Sequence, residues 1–240
     1  MNIAIIGYGR MGKEIEKAAI QRGHSICCII DNEQDWQDQT QKLKKADIAI
    51  EFSIPEAVLS NIERCHHFDL PVITGTTGWD KERIQIIEAV KANQKTLFFA
   101  PNFSIGVNLF FELNRRFTGL ISGHEQYSGS ISETHHIHKQ DAPSGTAIAL
   151  ANDIIGKHAK YREWAKEKQQ HDFQLPVKSS RENEIIGDHH VSWESPMDTI
   201  RLSHHAKNRS GFAIGAVIAG EWVKEKTGYY EMADMLFDND

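Results

Sequence analysis

The densest run of chemically capable side chains is Glu133-Thr134-His135-His136-Ile137-His138-Lys139-Gln140-Asp141-Ala142-Pro143-Ser144-Gly145-Thr146-Ala147. His135, His136 and His138 are imidazoles that exchange protons near neutral pH, and Lys139 adds a fixed positive charge beside them. Pro143-Ser144-Gly145-Thr146 leads into a helix expected over 147–158. Ser144 is a natural N-cap there, and the first-turn N–H groups of Gly145 and Thr146 can hold a carboxylate. Acid or base, cation and anion cradle are thus neighbours in the chain, which points to a small anionic substrate. The competing use of His135, His136 and His138 is metal ligation. An ion would be repelled by Lys139, and no carboxylate or cysteine pattern completes a ligand set, so no metal is expected.

A second constellation lies at the N-terminus. Gly7-Tyr8-Gly9-Arg10-Met11-Gly12 follows the apolar run Ile3-Ala4-Ile5-Ile6 and opens a helical stretch from Met11 to about Arg22, ended by Gly23. A strand over 25–30 then stops at Asp31. Strand, glycine turn, helix, strand and acid in this order form the frame that a dinucleotide fingerprint requires. Gly7 permits the tight turn, Gly9 lets the backbone approach a pyrophosphate, and Gly12 lets helix pack on strand. The helix N-terminus offers N–H groups to the anion, and Asp31 would accept hydrogen bonds from an adenosine ribose. The alternative is a glycine-rich turn of some other α/β protein.

The elements that must position these groups alternate regularly at first. Strands are expected over 46–52, 70–74 and 96–100, with helices over 55–67 and 80–93, the latter turning Ile84, Ile87, Ala89 and Val90 inward. Such alternation calls for a parallel sheet with right-handed crossovers, whose ligands bind beyond the carboxyl ends of the strands. Ser53, Gly75-Thr76-Thr77 and Pro101-Asn102-Phe103-Ser104 stand at three such ends. After Ser104 the rhythm stops. A helix over 107–116 and a strand over 130–134 precede the histidine cluster, and 156–183 reads as a surface helix and loop. Two antiparallel strands over 185–194 and 198–203 turn at Ser195-Pro196-Met197. On those strands at most one of His189 and His190, and one of His204 and His205, can face a site. The last helix, 212–223, carries small residues suited to close packing on a sheet. Cys27, Cys28 and Cys65 lack a CxxC partner and read as packing residues.

Composition removes several function classes. With 27 Lys+Arg against 33 Asp+Glu, the 240-residue chain has a net charge of −6, which argues against nucleic acid or an anionic membrane as partner. No apolar run reaches the length of a membrane span, no signal peptide is evident, and three cysteines make no disulfide framework, so a cytoplasmic location is expected.

With these residues in hand, the chain resembles the dihydrodipicolinate reductase family nearly end to end. The resemblance rests on the glycine turn, Gly75-Thr76-Thr77-Gly78, Pro101-Asn102-Phe103-Ser104-Ile105-Gly106-Val107-Asn108, the His135-to-Ala147 run and His205-Ala206-Lys207-Asn208-Arg209-Ser210-Gly211-Phe212-Ala213. The family implies an α/β protein with a Rossmann-type parallel-sheet domain over 1–103 and 209–240. A mixed α+β domain over 104–208 would bind substrate and build a homotetramer. It implies reduction of 4-hydroxy-tetrahydrodipicolinate by NADH or NADPH, with loss of water, in lysine and diaminopimelate biosynthesis. Carried over by motif, His135 matches the general acid/base and Lys139 the proton donor. His136, Ser144, Gly145 and Thr146 match substrate contacts. Gly7, Tyr8, Gly9, Arg10, Met11, Gly12, Asp31, Gly75, Thr76, Thr77, Ala100, Pro101, Asn102 and Phe103 match the cofactor shell. The glycine turn is one residue shorter than in many members, and Asn32 follows Asp31 where some relatives carry Arg. Less is therefore offered to a 2′-phosphate, and a lean toward NADH is expected unless Arg10 spoils it. Two alternatives are a related oxidoreductase acting on another small carboxylate, such as an aspartate dehydrogenase or homoserine-type enzyme, and a non-catalytic dinucleotide sensor.

Overall fold

In the computed structural model, which describes residues 1–237, the chain divides into two compact units: Met1–Ile105 with the segment from Ser210 on, and Gly106–Arg209. The first unit runs β1 (Asn2–Ile6), α1 (Arg10–Gln21), β2 (Ser25–Ile30), α2 (Glu33–Asp38), α3 (Thr40–Leu43), β3 (Ile48–Glu51), α4 (Pro55–His67), β4 (Val72–Thr74), α5 (Arg83–Ala92) and β5 (Thr96–Phe99). The second holds α6 (Ile105–Ile121), β6 (Ser128–His135), α7 (Gly145–Lys157), β7 (Glu163–Lys166), β8 (Gln174–Arg181), β9 (Asp188–Glu194) and β10 (Thr199–His205). The chain then returns to the first unit with α8 (Ser210–Val223), β11 (Gly228–Tyr230) and α9 (Met232–Phe237).

The first sheet is parallel throughout, in the order β11-β5-β4-β3-β1-β2. Its strands are short apolar runs because helices cover both faces. Strand alternation divides the residues between two cores. Ile3, Ile5, Ile48, Ile50, Ile73 and Phe98 pack with α1, α8 and α9, whereas Ala4, Ile6, Ala49, Val72, Leu97 and Phe99 pack with Leu43 of α3, α4 and Val90 of α5. The small residues of α8 serve this packing: a Cβ on Gly215 would lie 1.8 Å from the Phe103 carbonyl oxygen. On α5 the inward residues are Val90 and Ile86, while Ile84 and Ala89 are exposed, contrary to expectation. The helix begins at Arg83 rather than Asp80, and the Ile86–Val90 spacing of four selects its buried stripe.

The second sheet is mixed, in the order β10-β9-β6-β8-β7. β6 lies antiparallel to β9 and parallel to β8, which is parallel to β7. The segment read as a surface helix and loop therefore contains two strands. Pro176 and Lys178 interrupt any regular apolar alternation in β8, and its pairing is supplied by β6, more than forty residues earlier. Trp193, Ile131, Val177, Val191, Leu150 and Ile154 form the core between this sheet and α7. Along β6 the buried side runs Gly129, Ile131, Glu133, His135, so one pleated face changes from apolar to ionisable as it approaches the histidine run. All three cysteines are free thiols in the first unit, with Cys28 and Cys65 buried.

Candidate functional sites

In the first unit the glycine turn is built as its sequence demands. Gly7 adopts φ +87°, and a Cβ there would meet the Phe52 carbonyl oxygen at 2.3 Å. A Cβ on Gly12 would lie 2.3 Å from the Gly7 carbonyl oxygen, whereas one on Gly9 meets nothing within 4 Å. Gly9 is thus free of the protein and open to a ligand. Asp31 Oδ1 accepts the Tyr8 N–H at 2.6 Å, tying the turn to the end of β2. A cleft of 490 Å³ is lined by Gly7, Tyr8, Gly9 and Asp31 together with Glu33, Trp36, Ser53, Ile54 and Arg64. A second, of 360 Å³, gathers Gly9, Arg10, Met11, Ser53, Gly75, Thr76 and Thr77. Ala100 and Phe103 are buried, and the Phe103 ring packs on Phe52 and Phe98 at 5.6 and 5.8 Å. Pro101 is exposed, and Asn102 Oδ1 accepts the Ser104 N–H at 2.9 Å.

Three features of this cradle escape the sequence reading. Asn32 caps α2, its Oδ1 accepting the Asp35 N–H at 3.0 Å, so its side chain is committed to the helix. Arg64 Nη1 pairs with Glu33 Oε2 at 2.7 Å, and its guanidinium lies 5.2 Å from the Trp36 ring. Glu51, fully buried at the end of β3, accepts hydrogen bonds from Ser53 Oγ, Asn61 Nδ2 (3.2 Å) and Thr74 Oγ1 (2.6 Å). It thereby fixes two of the strand-end loops. Nothing in the spacing of Glu51 distinguishes it from a surface glutamate.

In the second unit β6 delivers Glu133 and His135 from one pleat, and its neighbours supply the rest. Strand register sets Glu133 between His189 of β9 and Ser179 of β8, and sets His135 beside Arg181. His189 is buried while His190 is half-buried and meets Ser203 Oγ at 2.9 Å, so alternation chooses His189. Glu133 Oε1 accepts the Ser144 N–H and the Ser179 hydroxyl, each at 2.9 Å. Ser144 is the N-cap of α7, with Oγ accepting the Ala147 N–H at 3.2 Å. Gly145 and Thr146 then occupy the first turn, where N–H groups have no intrahelical partner. Lys139 Nζ donates to both oxygens of Asp141, at 2.7 and 2.8 Å, and Arg181 Nε donates to the Lys139 carbonyl at 3.2 Å. His136 Nε2 lies 3.3 Å from Arg209 Nη2. His138 is exposed, with Glu184 as its ionic neighbour at 3.7 Å.

The electrostatics follow from burial. Burial pushes the Glu133 carboxyl up, but the neighbouring His189 ring and donation from Ser144 and Ser179 outweigh it and hold the group down at about 2. Burial pulls His135 down to about 4, with Glu133 opposing and His189, Lys139 and Arg181 reinforcing the drop. At neutral pH the unit therefore presents an ionised carboxylate, a neutral imidazole, an ammonium and a helix N-terminus. Ligand atoms of Glu133, His135 and His189 lie within 4.8 Å of one another, close enough to hold a metal ion. This set differs from the one the sequence offered: Glu133 supplies the carboxylate, and His189 replaces His136 and His138. The Arg181 guanidinium, 3.7 Å from Glu133 Oε1, opposes a second cation there.

A Rossmann-type sheet with an open glycine turn, joined in one chain to a mixed-sheet unit bearing this cluster, defines a two-unit oxidoreductase. Models of the N-terminal and C-terminal parts of dihydrodipicolinate reductase match residues 1–103 and 106–236, and the chain belongs to that family. A 4-hydroxy-tetrahydrodipicolinate reductase of Christiangramia forsetii is 42% identical over 238 residues, covering 99% of this chain and 98% of the relative. The protein of that name from Methanopyrus kandleri is 37% identical over 200 residues, covering 81% and 72%. Among solved structures, dipicolinate-bound dihydrodipicolinate reductase from Paenisporosarcina sp. TG-14 superposes with TM-score 0.79 over 99% of both chains at 20% identity, which establishes a shared fold. Aspartate semialdehyde dehydrogenase II from Vibrio cholerae matches more loosely, with TM-score 0.53, 12% identity and 94% and 98% coverage.

Proposed function

We propose that the protein reduces 4-hydroxy-tetrahydrodipicolinate to tetrahydrodipicolinate, with loss of water, in lysine and diaminopimelate biosynthesis. The observation that carries this reading is the second unit's cluster: neutral His135, the Lys139 ammonium and the Ser144-capped start of α7 on one stretch of chain. A cyclic dicarboxylate has what this cluster lacks, two carboxylates and a ring that must gain a proton. The N–H groups of Gly145 and Thr146, with Ser144 and His136 beside them, bind one carboxylate. Lys139 holds a proton at Nζ and balances the electron density that arrives on the ring, and His135, a neutral imidazole, is available to accept a proton.

The cofactor shell fits a nicotinamide dinucleotide. The position over Gly9 is open, side chains at Gly7 and Gly12 would clash with the backbone, and the Asp31 carboxylate stands at the end of β2. Such a cofactor supplies the hydride when bound. Arg10, Met11, Gly75, Thr76 and Thr77 line the smaller cleft and suit its diphosphate and nicotinamide half, with Pro101 and Asn102 contributing from the next strand end. NADH is the favoured form: Asp31 and Glu33 put two carboxylates in the larger cleft, Asn32 is occupied as a cap, and Arg64 is neutralised by Glu33. Of the alternatives, the sensor has no use for the Lys139–His135 cluster. A homotetramer is supported by the exposed apolar residues Leu109, Leu113 and Leu120 on α6 and Ile200 on edge strand β10. No helix among the described residues is long and apolar enough to cross a membrane.

The test is oxidation of NADH, then of NADPH, with substrate freshly generated by the synthase that makes it. Turnover with both and a higher kcat/KM for NADH is expected. A strong NADPH preference overturns the cofactor assignment, and no turnover with either overturns the reaction. Sedimentation analysis at micromolar concentration tests the tetramer.

A further inference from the structure

Glu133 is held on one side only. Its Oε1 accepts two hydrogen bonds, from Ser144 and Ser179, and has Arg181 Nη1 at 3.7 Å. Its Oε2 is buried and has no hydrogen-bond partner. Two ring nitrogens stand just beyond bonding distance of that oxygen, His135 Nδ1 at 3.4 Å and His189 Nε2 at 3.6 Å. The rings of His135 and His189 meet edge to face, with centroids 5.0 Å apart. His135 Nδ1 is itself buried and without a partner. An ionised oxygen sealed from water is costly unless a proton is directed at it, and the nearest donors are these imidazoles. The other nitrogen of His135, Nε2, lies toward Gly187, where a Cβ would approach it to 3.1 Å.

We propose that Glu133 is the positioning carboxylate of this acid–base site. It fixes His135 in the tautomer with the proton on Nδ1, so that Nε2 is the atom that exchanges protons, and His189 competes for the same carboxylate oxygen. When Nε2 takes a proton, the imidazolium is stabilised by Oε2 and Glu133 stays ionised; no proton passes to the carboxylate. This rests on the reading of His135 as the group that manages protons. The groups that face His135 are Glu133 on its own strand, Arg181 on β8, His189 on β9 and Lys139 from the following loop; His204 of β10 faces His189 at 6.4 Å between ring centroids. Glu133 favours the protonated ring, while His189, Arg181 and Lys139 disfavour it.

Glu133→Gln makes a distinctive test. The position of Oε1 must still accept from Ser144 and Ser179, so the amide oxygen is drawn there and the amide NH2 is left facing Nδ1. That arrangement forces Nδ1 to accept and moves the ring proton to Nε2. Imidazole 15N NMR of the whole enzyme should show His135 change tautomer in this variant. Its kcat should fall roughly 100-fold, with the KM for substrate and the NADH dissociation constant within about threefold of wild type. Glu133→Asp, which keeps the charge, should recover part of the loss. Should Glu133→Gln fail to fold, His189→Ala serves in its place: removing the competitor should move the His135 titration to higher pH. An unchanged tautomer and kcat in Glu133→Gln, or an unmoved titration in His189→Ala, overturns the positioning role. Full activity in His135→Ala would instead overturn the underlying reading, and the tautomer measurement stands apart from both because it needs no turnover.

Discussion

Two glycines of the N-terminal turn should fail in opposite ways when replaced by alanine. At Gly9 the new methyl meets nothing within 4 Å, and the backbone has φ −72°, so alanine is not strained there. Loss of glycine's freedom in the unfolded chain works in favour of the variant by about 0.4–1 kcal/mol, and poorer helix capping offsets a part of this. The free protein should melt within about 2 °C of wild type. The cost appears only when a pyrophosphate approaches the backbone. A methyl in that gap should weaken NADH by at least tenfold, about 1.4 kcal/mol. At Gly12 the methyl would lie 2.3 Å from the Gly7 carbonyl oxygen, inside any acceptable contact. Overpacking of this kind costs about 1–3 kcal/mol, which for a chain of this size lowers Tm by roughly 2–12 °C whether or not cofactor is present. Thermal melts of both variants, paired with fluorescence titration of NADH, separate the two effects. Undiminished NADH affinity in Gly9→Ala would refute the placement of the dinucleotide over this turn.

Other consequences can be checked as directly. Lys139→Met should bind NADH normally yet lose roughly 100-fold or more in kcat, the usual worth of a positioned proton donor, and full turnover would remove Lys139 from the chemistry. Glu33→Gln should release Arg64 from its 2.7 Å pair and improve NADPH relative to NADH by about tenfold in kcat/KM; an unchanged ratio would mean that Arg64 does not meet the ribose end. Acid should destabilise the fold in two stages. His135 is held down at about 4 from an ordinary 6.5, so the unfolded chain takes up a proton between those values that the folded chain refuses, and stability is lost as pH falls through that window. Glu133, held at about 2 against an ordinary 4.5, extends the loss below pH 5. Melting temperatures across pH 7 to 4 should fall steadily, and less steeply in His135→Asn between pH 6.5 and 4.5.

What the sequence reveals depends on how local the cause is. The glycine turn is legible because the spacing of its three glycines and the order strand, turn, helix, strand lie within one short stretch of chain, and the His135-to-Thr146 run because its cation, imidazoles and helix start are contiguous. β7 and β8 are illegible for the opposite reason: a strand with Pro176 and a polar tail is stabilised by its register with Ile131–His135, which no local pattern encodes. Alternation states that His189 and His190 face opposite ways, but only the pairing of His189 with Glu133 says which one turns inward. Glu133 itself stands in the sequence run with no assigned role, since its importance comes from burial and from partners on two other strands. Phe103 shows the converse case. Its motif is real, yet its ring belongs to the core and its carbonyl is pressed by Gly215 from more than a hundred residues away.

That last contact has a consequence for how the protein comes into being. The face of the parallel sheet formed by Ile3, Ile5, Ile48, Ile50, Ile73 and Phe98 is covered partly by α8 and α9, and its edge strand β11 comes later still than α8. During synthesis, all of Gly106–Arg209 must leave the ribosome before those pieces exist, a delay of roughly 5–20 s at ordinary elongation rates. For that interval the nascent chain carries five of the six strands with an apolar side that α1 covers only in part, the kind of surface that chaperones bind. A chain terminated before Ser210 would keep that surface indefinitely.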